Sequence, residues 1–222
     1  MKFLSTGAVL FTAIAIQANA AVMLTQVNDG SNQGAEAIRT IDFNPANGTG
    51  TALRNGGAFV GYFNTGHNLN STLVFEMLGV ADPTSITVGN LTAVQGNTGT
   101  PTGIDVEVHV IRVSPTGTIQ ASDHHNSALQ LMANYDGDGT AGLNVSLDAA
   151  GQAALGTWLQ TNWVEGEFLF IGLQSDTIIP SGNRTEGLTY NSVGLEVTAV
   201  PEPSSFALLA LSSLGLLRRR RA

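Results

Sequence analysis

Cysteine is absent from the 222-residue chain, and lysine is nearly so. Without cysteine the protein has neither disulfides nor thiolate metal ligands, so its stability must come from an ordinary hydrophobic core. Between Ala21 and Val200 the basic residues are four arginines against sixteen carboxylates, a net charge of −12. Such an acidic surface repels the phosphates of nucleic acids, which excludes a nucleic-acid-binding function.

Several sequence motifs of common enzymes are also missing. The chain contains no G-x-S-x-G, no H-E-x-x-H and no Walker loop. These motifs supply the nucleophile of hydrolases, the zinc ligands of metalloproteases and the phosphate cradle of nucleotide-binding enzymes. We therefore expect a protein without catalytic activity.

The first twenty residues have the pattern of a secretory signal peptide. A basic start is followed by an uncharged stretch over residues 3–16 and then by the small residues Ala18 and Ala20. Signal peptidase requires this order of a basic, an apolar and a small-x-small segment. We expect export, a signal helix over residues 1–20, and a mature chain that begins at Ala21.

The other end of the chain combines three segments. "VPEP" from Val200 is followed by fourteen uncharged residues, 204–217, and then by a cluster of arginines. We expect these fourteen residues to form a hydrophobic helix. It is short for a membrane span, because a spanning helix needs about 20 apolar residues to cross a bilayer about 30 Å thick. Since arginines resist translocation, an exported chain would be held in the inner membrane by this tail. The membrane-stop residues are Arg218, Arg219, Arg220 and Arg221.

This tail resembles the PEP-CTERM sorting domain of Gram-negative bacteria, since "VPEPSS", "FALLALSSLGLL" and "RRRRA" occur in the right order over residues 200–222. The resemblance implies that an exosortase recognises Pro201, Glu202 and Pro203 and processes the protein near them. It also implies delivery to the cell surface or extracellular matrix in organisms that make exopolysaccharide. The two prolines prevent a helix and keep the motif extended outside the membrane.

Residues 21–199, between the signal peptide and the sorting segment, are interpreted as one domain. Apolar and polar residues mostly alternate there, and Gly, Asn and Thr separate the runs. This alternation is typical of short strands. We predict a mainly all-β fold, an antiparallel β-sandwich or jelly roll. The predicted strands begin at Met23, Ile38, Ala58, Thr72, Ile86, Ile104, Leu143, Glu167 and Val193.

One or two short helices interrupt the predicted strands. Asp148 is a natural N-cap for the first, and apolar residues follow it at helical spacing. The segment "NSALQLMANY" at residues 126–135 is a second candidate helix. The apolar residues of the first helix are Ala154, Leu155, Trp158 and Leu159.

The order of elements from Thr72 to Val200, with a helix that ends near a tryptophan before "EFLFIGLQS", is similar to the carbohydrate-binding-like β-sandwich modules often called DNRLRE domains. A binding module would present aromatic rings for sugars to stack on, although rings at strand or helix spacing are more often core residues. The candidate rings are Trp158, Trp163, Tyr62, Tyr135 and Tyr190.

We call residues 21–199 the body. Calcium is the only cofactor that the sequence of the body suggests. "NYDGDG" places Asn134, Asp136 and Asp138 at alternate positions before Gly139, as at the start of a D-x-[DN]-x-[DN]-G loop. The twelfth position of such a loop needs a carboxylate, and here it is Val145. The segment is therefore half of a calcium loop at most, and an Asx- and Gly-rich turn is the simpler interpretation.

Two other groups of polar residues have the composition of catalytic sites. In "IDVEVHVIRV", strand alternation puts Asp105, Glu107 and His109 on one face. The outer face of an antiparallel sheet is ordinarily polar, so we interpret this face as solvated. Glu165 and Glu167 would share a face if their segment were extended, and paired carboxylates are used in glycoside hydrolysis. Neither group matches a specific motif.

The adjacent His124 and His125 match no metal-ligand spacing and are interpreted as loop residues. We therefore expect an exported, non-catalytic component of the cell surface or extracellular matrix. A carbohydrate-binding module for the exopolysaccharide is the first alternative, and a glycan-active enzyme is the second. An exposed strip of aromatic residues would favour the binding module, whereas a deep cleft with converging carboxylates would favour the enzyme.

Overall fold

The described part of the chain forms an antiparallel β-sandwich with one α-helix, as the alternation predicts. The computed structural model describes residues 20–26, 37–42, 52–56, 58–63, 67–100, 103–124, 126–135, 140–175 and 185–201. Its strands are β1 Ala20–Gln26, β2 Ala37–Asp42, β3 Ala52–Gly56, β4 Ala58–Phe63, β5 His67–Glu76, β6 Val80–Asp82, β7 Val88–Thr98, β8 Glu107–Ser114, β9 Leu129–Leu131, β10 Leu143–Ser146, β11 Phe168–Gln174 and β12 Thr185–Pro201. The helix α1 is Ala149–Asn162, and short 3₁₀ helices span Pro83–Ser85 and Ala121–His124.

The strands pair in a continuous path that folds around the core. The order is β10-β7-β12-β1-β5-β11-β8-β9, with β2 and β4 also on β5, β3 on β2, and β4 and β6 on β12. Leu131 of β9 and Val145 of β10 lie at opposite ends of this path, yet both belong to the same buried cluster as Leu195 of β12. The two halves of the path therefore enclose one core between them, as in a sandwich.

β12 is the longest strand and connects the two halves. On one edge it pairs with β7 from Gly187 to Thr198. On the other edge it pairs first with β4, over residues 185–190, and then with β1, over residues 195–199. The change of partner follows a register shift next to Ser192, whose φ of 51° lies in the left-handed region. This irregularity lets one strand bend from one neighbour to the next.

The predicted helix is confirmed as α1, and it packs closely on β7. The Oδ1 atom of Asp148 accepts a hydrogen bond of 2.7 Å from the N–H of Gly151, which makes Asp148 the N-cap. Leu155 and Leu159 are fully buried. At Gly156 the helix approaches the chain so closely that a Cβ atom would lie 2.9 Å from the carbonyl oxygen of Thr87.

The second candidate helix, residues 126–135, was the wrong interpretation, because this segment contains β9. Leu131 is buried opposite Val108 on β8, and Ala133 forms a bridge with Leu147. Leu129 and Leu131 point inward while Gln130 and Met132 are exposed. That alternation has a period of two, which is the period of a strand, and β9 pairs with β8 accordingly.

Within the described ranges, no helix is long and apolar enough to cross a bilayer. The predicted signal helix before Ala20 and the predicted hydrophobic helix after Pro203 lie outside these ranges.

Replacing Gly156 with alanine should destabilise the protein, although alanine favours a helix by about 1 kcal/mol. The added Cβ would meet backbone atoms of Thr87 and Val88 at 2.9–3.0 Å, and these atoms cannot move without disturbing the start of β7. We expect the free energy of unfolding to fall by about 1–3 kcal/mol, measured by thermal and urea denaturation.

The control is Thr157→Ala, at the next and exposed position of α1, which should leave the melting temperature unchanged or slightly higher. Equal melting temperatures for wild type and Gly156→Ala would contradict the close packing of α1 on β7.

Candidate functional site

The outer face of β8 carries a polar cluster around a buried histidine. The imidazole of His109 places Nδ1 2.8 Å from the Oγ of Ser127 and Nε2 2.8 Å from Oε2 of Glu107. Only 7% of His109 is exposed, because the connection from β8 to β9 returns over this face. The prediction of a solvated face is therefore wrong at His109, although Asp105 is exposed as expected.

Ser127, His109 and Glu107 have the residue types of a hydrolase triad. A serine, an imidazole and a carboxylate in one hydrogen-bonded chain can activate a hydroxyl group. Acyl transfer also needs hydrogen-bond donors directed at the developing oxyanion. The N–H of the neighbouring Ala128 instead donates to the carbonyl oxygen of Val110 at 2.8 Å. The contacts of this cluster fasten the β8–β9 connection to β8.

An ion pair fixes the same connection nearby. Asp123, 1% exposed, accepts from Nε of Arg112 at 3.0 Å and from Nη2 at 3.1 Å, and it also accepts from the N–H of Gln120 at 2.9 Å. Nη2 of Arg112 also donates to the carbonyl oxygen of Thr118 at 2.9 Å, and the guanidinium lies 3.8 Å above the Phe170 ring. A small apolar cluster completes the contact: Val74, Ile111, Ile119 and Phe170.

Glu165, the first carboxylate of the "EGE" pair, is engaged in a turn. Its Oε2 accepts from Nε1 of Trp163 at 3.0 Å, and its Oε1 accepts from the N–H of Gly79 at 2.8 Å. Residues 165 and 166 form a turn between α1 and β11, so the segment is not extended and the condition for a shared face with Glu167 is not met. Glu165 connects this turn to the segment before β6.

The residues nominated for calcium are described only in part. Asn134 is exposed, and its Oδ1 accepts a 2.5 Å hydrogen bond from the N–H of Ser146. Asp136 and Asp138 lie outside the described residues. In the described ranges, no three His, Asp or Glu side chains are grouped to hold a metal ion. Calcium binding stays a prediction, and Asn134 already uses one acceptor position within the fold.

Most of the candidate stacking rings belong to the core. Tyr135, Tyr190 and Trp163 are buried, and the two tyrosine rings lie 5.3 Å apart between centroids. Burial raises the pKa of the Tyr135 hydroxyl above its ordinary value, so this group stays neutral at physiological pH. Trp158 is half-buried against the same core, and the side chain of Tyr62 lies outside the described part of the chain.

The first of the predicted sorting residues lies within the sheet. Pro201 is the last residue of β12 and pairs with Val80 of β6, while Val200 pairs with Asp82. Glu202, Pro203 and the arginines at 218–221 lie outside the described residues. The predicted signal cleavage point also meets the sheet, because Ala20 is the first residue of β1 and pairs with Ala199. The side chain of Ala18 is not among those described.

Comparison with known protein families matches residues 199–221 to the PEP-CTERM protein-sorting motif. The resemblance of the tail is thereby confirmed, and the motif marks an exported protein that an exosortase processes at the membrane. No curated protein is significantly similar to the chain. Because the match begins at Ala199, the similarity of the body to DNRLRE-type modules stays a prediction.

Sequence reasoning missed the partners that are distant along the chain. Ser127 lies 18 residues from His109, and Asp123 lies 11 residues from Arg112. No periodicity links a strand to the loop that will cover it. The alternation of Glu107 and His109 did place the two side chains on one face, which is the part of the cluster that a sequence can specify.

Removing the carboxylate of Asp123 should destabilise the β8–β9 connection. Asp123→Ala would leave the Arg112 guanidinium over Phe170 without its anionic partner, and the N–H of Gln120 without its acceptor. We expect the free energy of unfolding to fall by about 3 kcal/mol, since breaking one side of a buried ion pair is strongly destabilising. Urea denaturation measures this loss.

Glu196→Ala is the control, because it removes an exposed carboxylate on β12 and should change the stability by no more than about 0.5 kcal/mol. A loss for Asp123→Ala as small as that of the control would show that the ion pair does not fasten the connection.

Proposed function

We propose that residues 21–199 form a non-catalytic component of the cell surface or extracellular matrix of a Gram-negative bacterium. The observation that supports this role is the direct continuation of β12 into the sorting motif. Ala199, the first matched residue, is fully buried and pairs with Ala20. The body is therefore joined to its sorting signal through its most connected strand, with no linker between them.

The polar residues of the body support the same role. Glu165, Asp123 and His109 have the side chains of acid–base chemistry, and each is bonded to a turn or connection that it fastens. These bonds are what an exposed structural protein without disulfides needs, because its loops are otherwise held only by packing.

Carbohydrate binding is the alternative that the aromatic residues favour less. Sugar stacking needs exposed ring faces, and three of the five nominated rings are buried in the core. Trp163 is further fixed by its hydrogen bond to Glu165. Binding of the body to exopolysaccharide fragments on a glycan array would restore this alternative, and release of sugars from such fragments would favour the glycan-active enzyme.

The route to the surface follows from the two ends. We infer that signal peptidase cleaves after Ala20, that the C-terminal tail then holds the chain in the inner membrane, and that exosortase processing at Pro201–Pro203 permits transfer to the surface. The arginines at 218–221 resist translocation until that step, because moving several cations across the bilayer is unfavourable.

Two changes in the tail should affect release of the protein from the inner membrane and its processing by the exosortase in different ways. Replacing Arg218–Arg221 with serine removes the barrier to translocation and should release unprocessed protein. Glu202→Ala should leave full-length protein in the inner membrane, because it alters the sequence that the enzyme recognises. Mass spectrometry of the protein from inner-membrane, surface and medium fractions of the native bacterium distinguishes these outcomes.

Glu196→Ala is the matched control, since it removes the same kind of charge six positions earlier on β12, and it should be processed and localised as wild type. Surface protein of wild type that still carries "LLRRRRA" would refute the sorting route and indicate a plain C-terminal anchor.

A further inference from the structure

The sorting motif and the folded sheet overlap by three residues, Ala199, Val200 and Pro201. The matched motif begins at Ala199, and β12 continues to Pro201. Ala199 pairs with Ala20 of β1, whereas Val200 and Pro201 pair with β6. The residues directly before Glu202 are therefore part of the sheet.

A short segment holds this end of β12. β6 consists of Val80–Asp82 and leads into the 3₁₀ helix Pro83–Ser85, and we call Val80–Ser85 the β6 segment. Oδ1 of Asp82 accepts from the N–H of Thr84 at 3.0 Å and from its Oγ1 at 2.7 Å. The Oγ of Ser85 donates to the carbonyl oxygen of Asp82 at 2.6 Å. These bonds fix Asp82 in the position opposite Val200.

The end of β12 is held less firmly than its interior. Residues 195–198 pair on both edges, with β1 and with β7. Beyond them, Val200 and Pro201 pair with a three-residue strand, and a register shift separates the two pairs. Local opening of this end requires few bonds to break, so it should occur far more often than unfolding of the sheet.

An enzyme that processes a peptide segment ordinarily binds it as an extended strand, through backbone groups on both sides of the reacting bond. Near Pro201 those backbone groups belong to the sheet, and Ala199 has no exposed surface. The enzyme and the β6 segment therefore compete for the same part of the chain.

We propose that the β6 segment positions the sorting motif and controls its processing, because Ala199–Pro201 must leave the sheet before the exosortase binds. Asp82, Thr84 and Ser85 are positioning residues in this reaction, since they act through Val200 and not on the reacting bond. The proposal rests on the sorting motif and is independent of the role proposed for the body.

A reversible crosslink between β6 and β12 tests the proposal. The chain has no cysteine, so Asp82→Cys/Val200→Cys would form a single defined disulfide. Directly paired antiparallel residues lie about 4.5–5.5 Å apart between Cα atoms, which is within the range that a disulfide spans. The full-length variant is incubated in membranes of the native bacterium, and loss of the tail is followed by mass spectrometry with and without reductant.

We expect the oxidised variant to be processed at least about tenfold more slowly than the same variant after reduction. Because both forms carry the same substitutions, their ratio isolates the crosslink. Val94→Cys/Asn144→Cys joins β7 to β10 at another directly paired position, and its oxidised and reduced forms should be processed equally. Equal processing of oxidised and reduced Asp82→Cys/Val200→Cys would overturn the proposal.

A variant that weakens the β6 segment tests whether processing becomes faster, and it needs no crosslink. Thr84→Val keeps the shape of the side chain and removes the hydrogen bond from Oγ1 to Asp82. Processing should become about threefold faster, as expected when one exposed side-chain hydrogen bond is lost from a local opening equilibrium.

Thr116→Val is the matched control, because Thr116 is an exposed threonine whose hydroxyl contacts Ser114 in another turn, and its processing should equal that of wild type. Processing of Thr84→Val at or below the wild-type rate would contradict a controlling role of the β6 segment.

Discussion

The pairing of β12 with its neighbours is the interaction on which the remaining structure depends. This strand pairs with β7 along one edge, and it also pairs with β4, β1 and β6. Its inward-facing residues Leu188, Leu195 and Val197 have no exposed surface. Because β12 is the last strand along the described part of the chain, the described strands are all in place only when the chain up to Ala199 has folded. The completed fold therefore also holds Ala199–Pro201, the start of the sorting motif, within the sheet.

The same pairing brings the two predicted processing points to one end of the sandwich. β1 and β12 are antiparallel, so Ala20 at the start of β1 lies opposite Ala199 near the end of β12. The residues at which the predicted signal peptide and the predicted tail join the body are therefore neighbours in the sheet.

Local patterns predicted nine of the twelve described strands and the helix α1, but not β3, β6 or β9, which depend on contacts between distant segments. The nine predicted strands and the N-cap at Asp148 follow from alternation and capping, which are properties of neighbouring residues. β9 was open to interpretation as a helix because a strand of three residues shows little alternation of apolar and polar residues. β6, which also has three residues, shows no more alternation than β9. The burial of His109 depends on the β8–β9 connection, and its hydrogen bond to Ser127 could not be read from spacing. The tail was recognisable because its three segments have an unusual composition in a fixed order.

Native-state hydrogen exchange of the full-length protein is the most direct test of the central role of β12. The amide hydrogens of Leu195–Thr198 should exchange only through global unfolding, because the strand is paired there on both edges. Those of Val80–Asp82 should exchange through a smaller opening that leaves the sheet intact. Exchange of Leu195–Thr198 as fast as that of Val80–Asp82 would contradict the account.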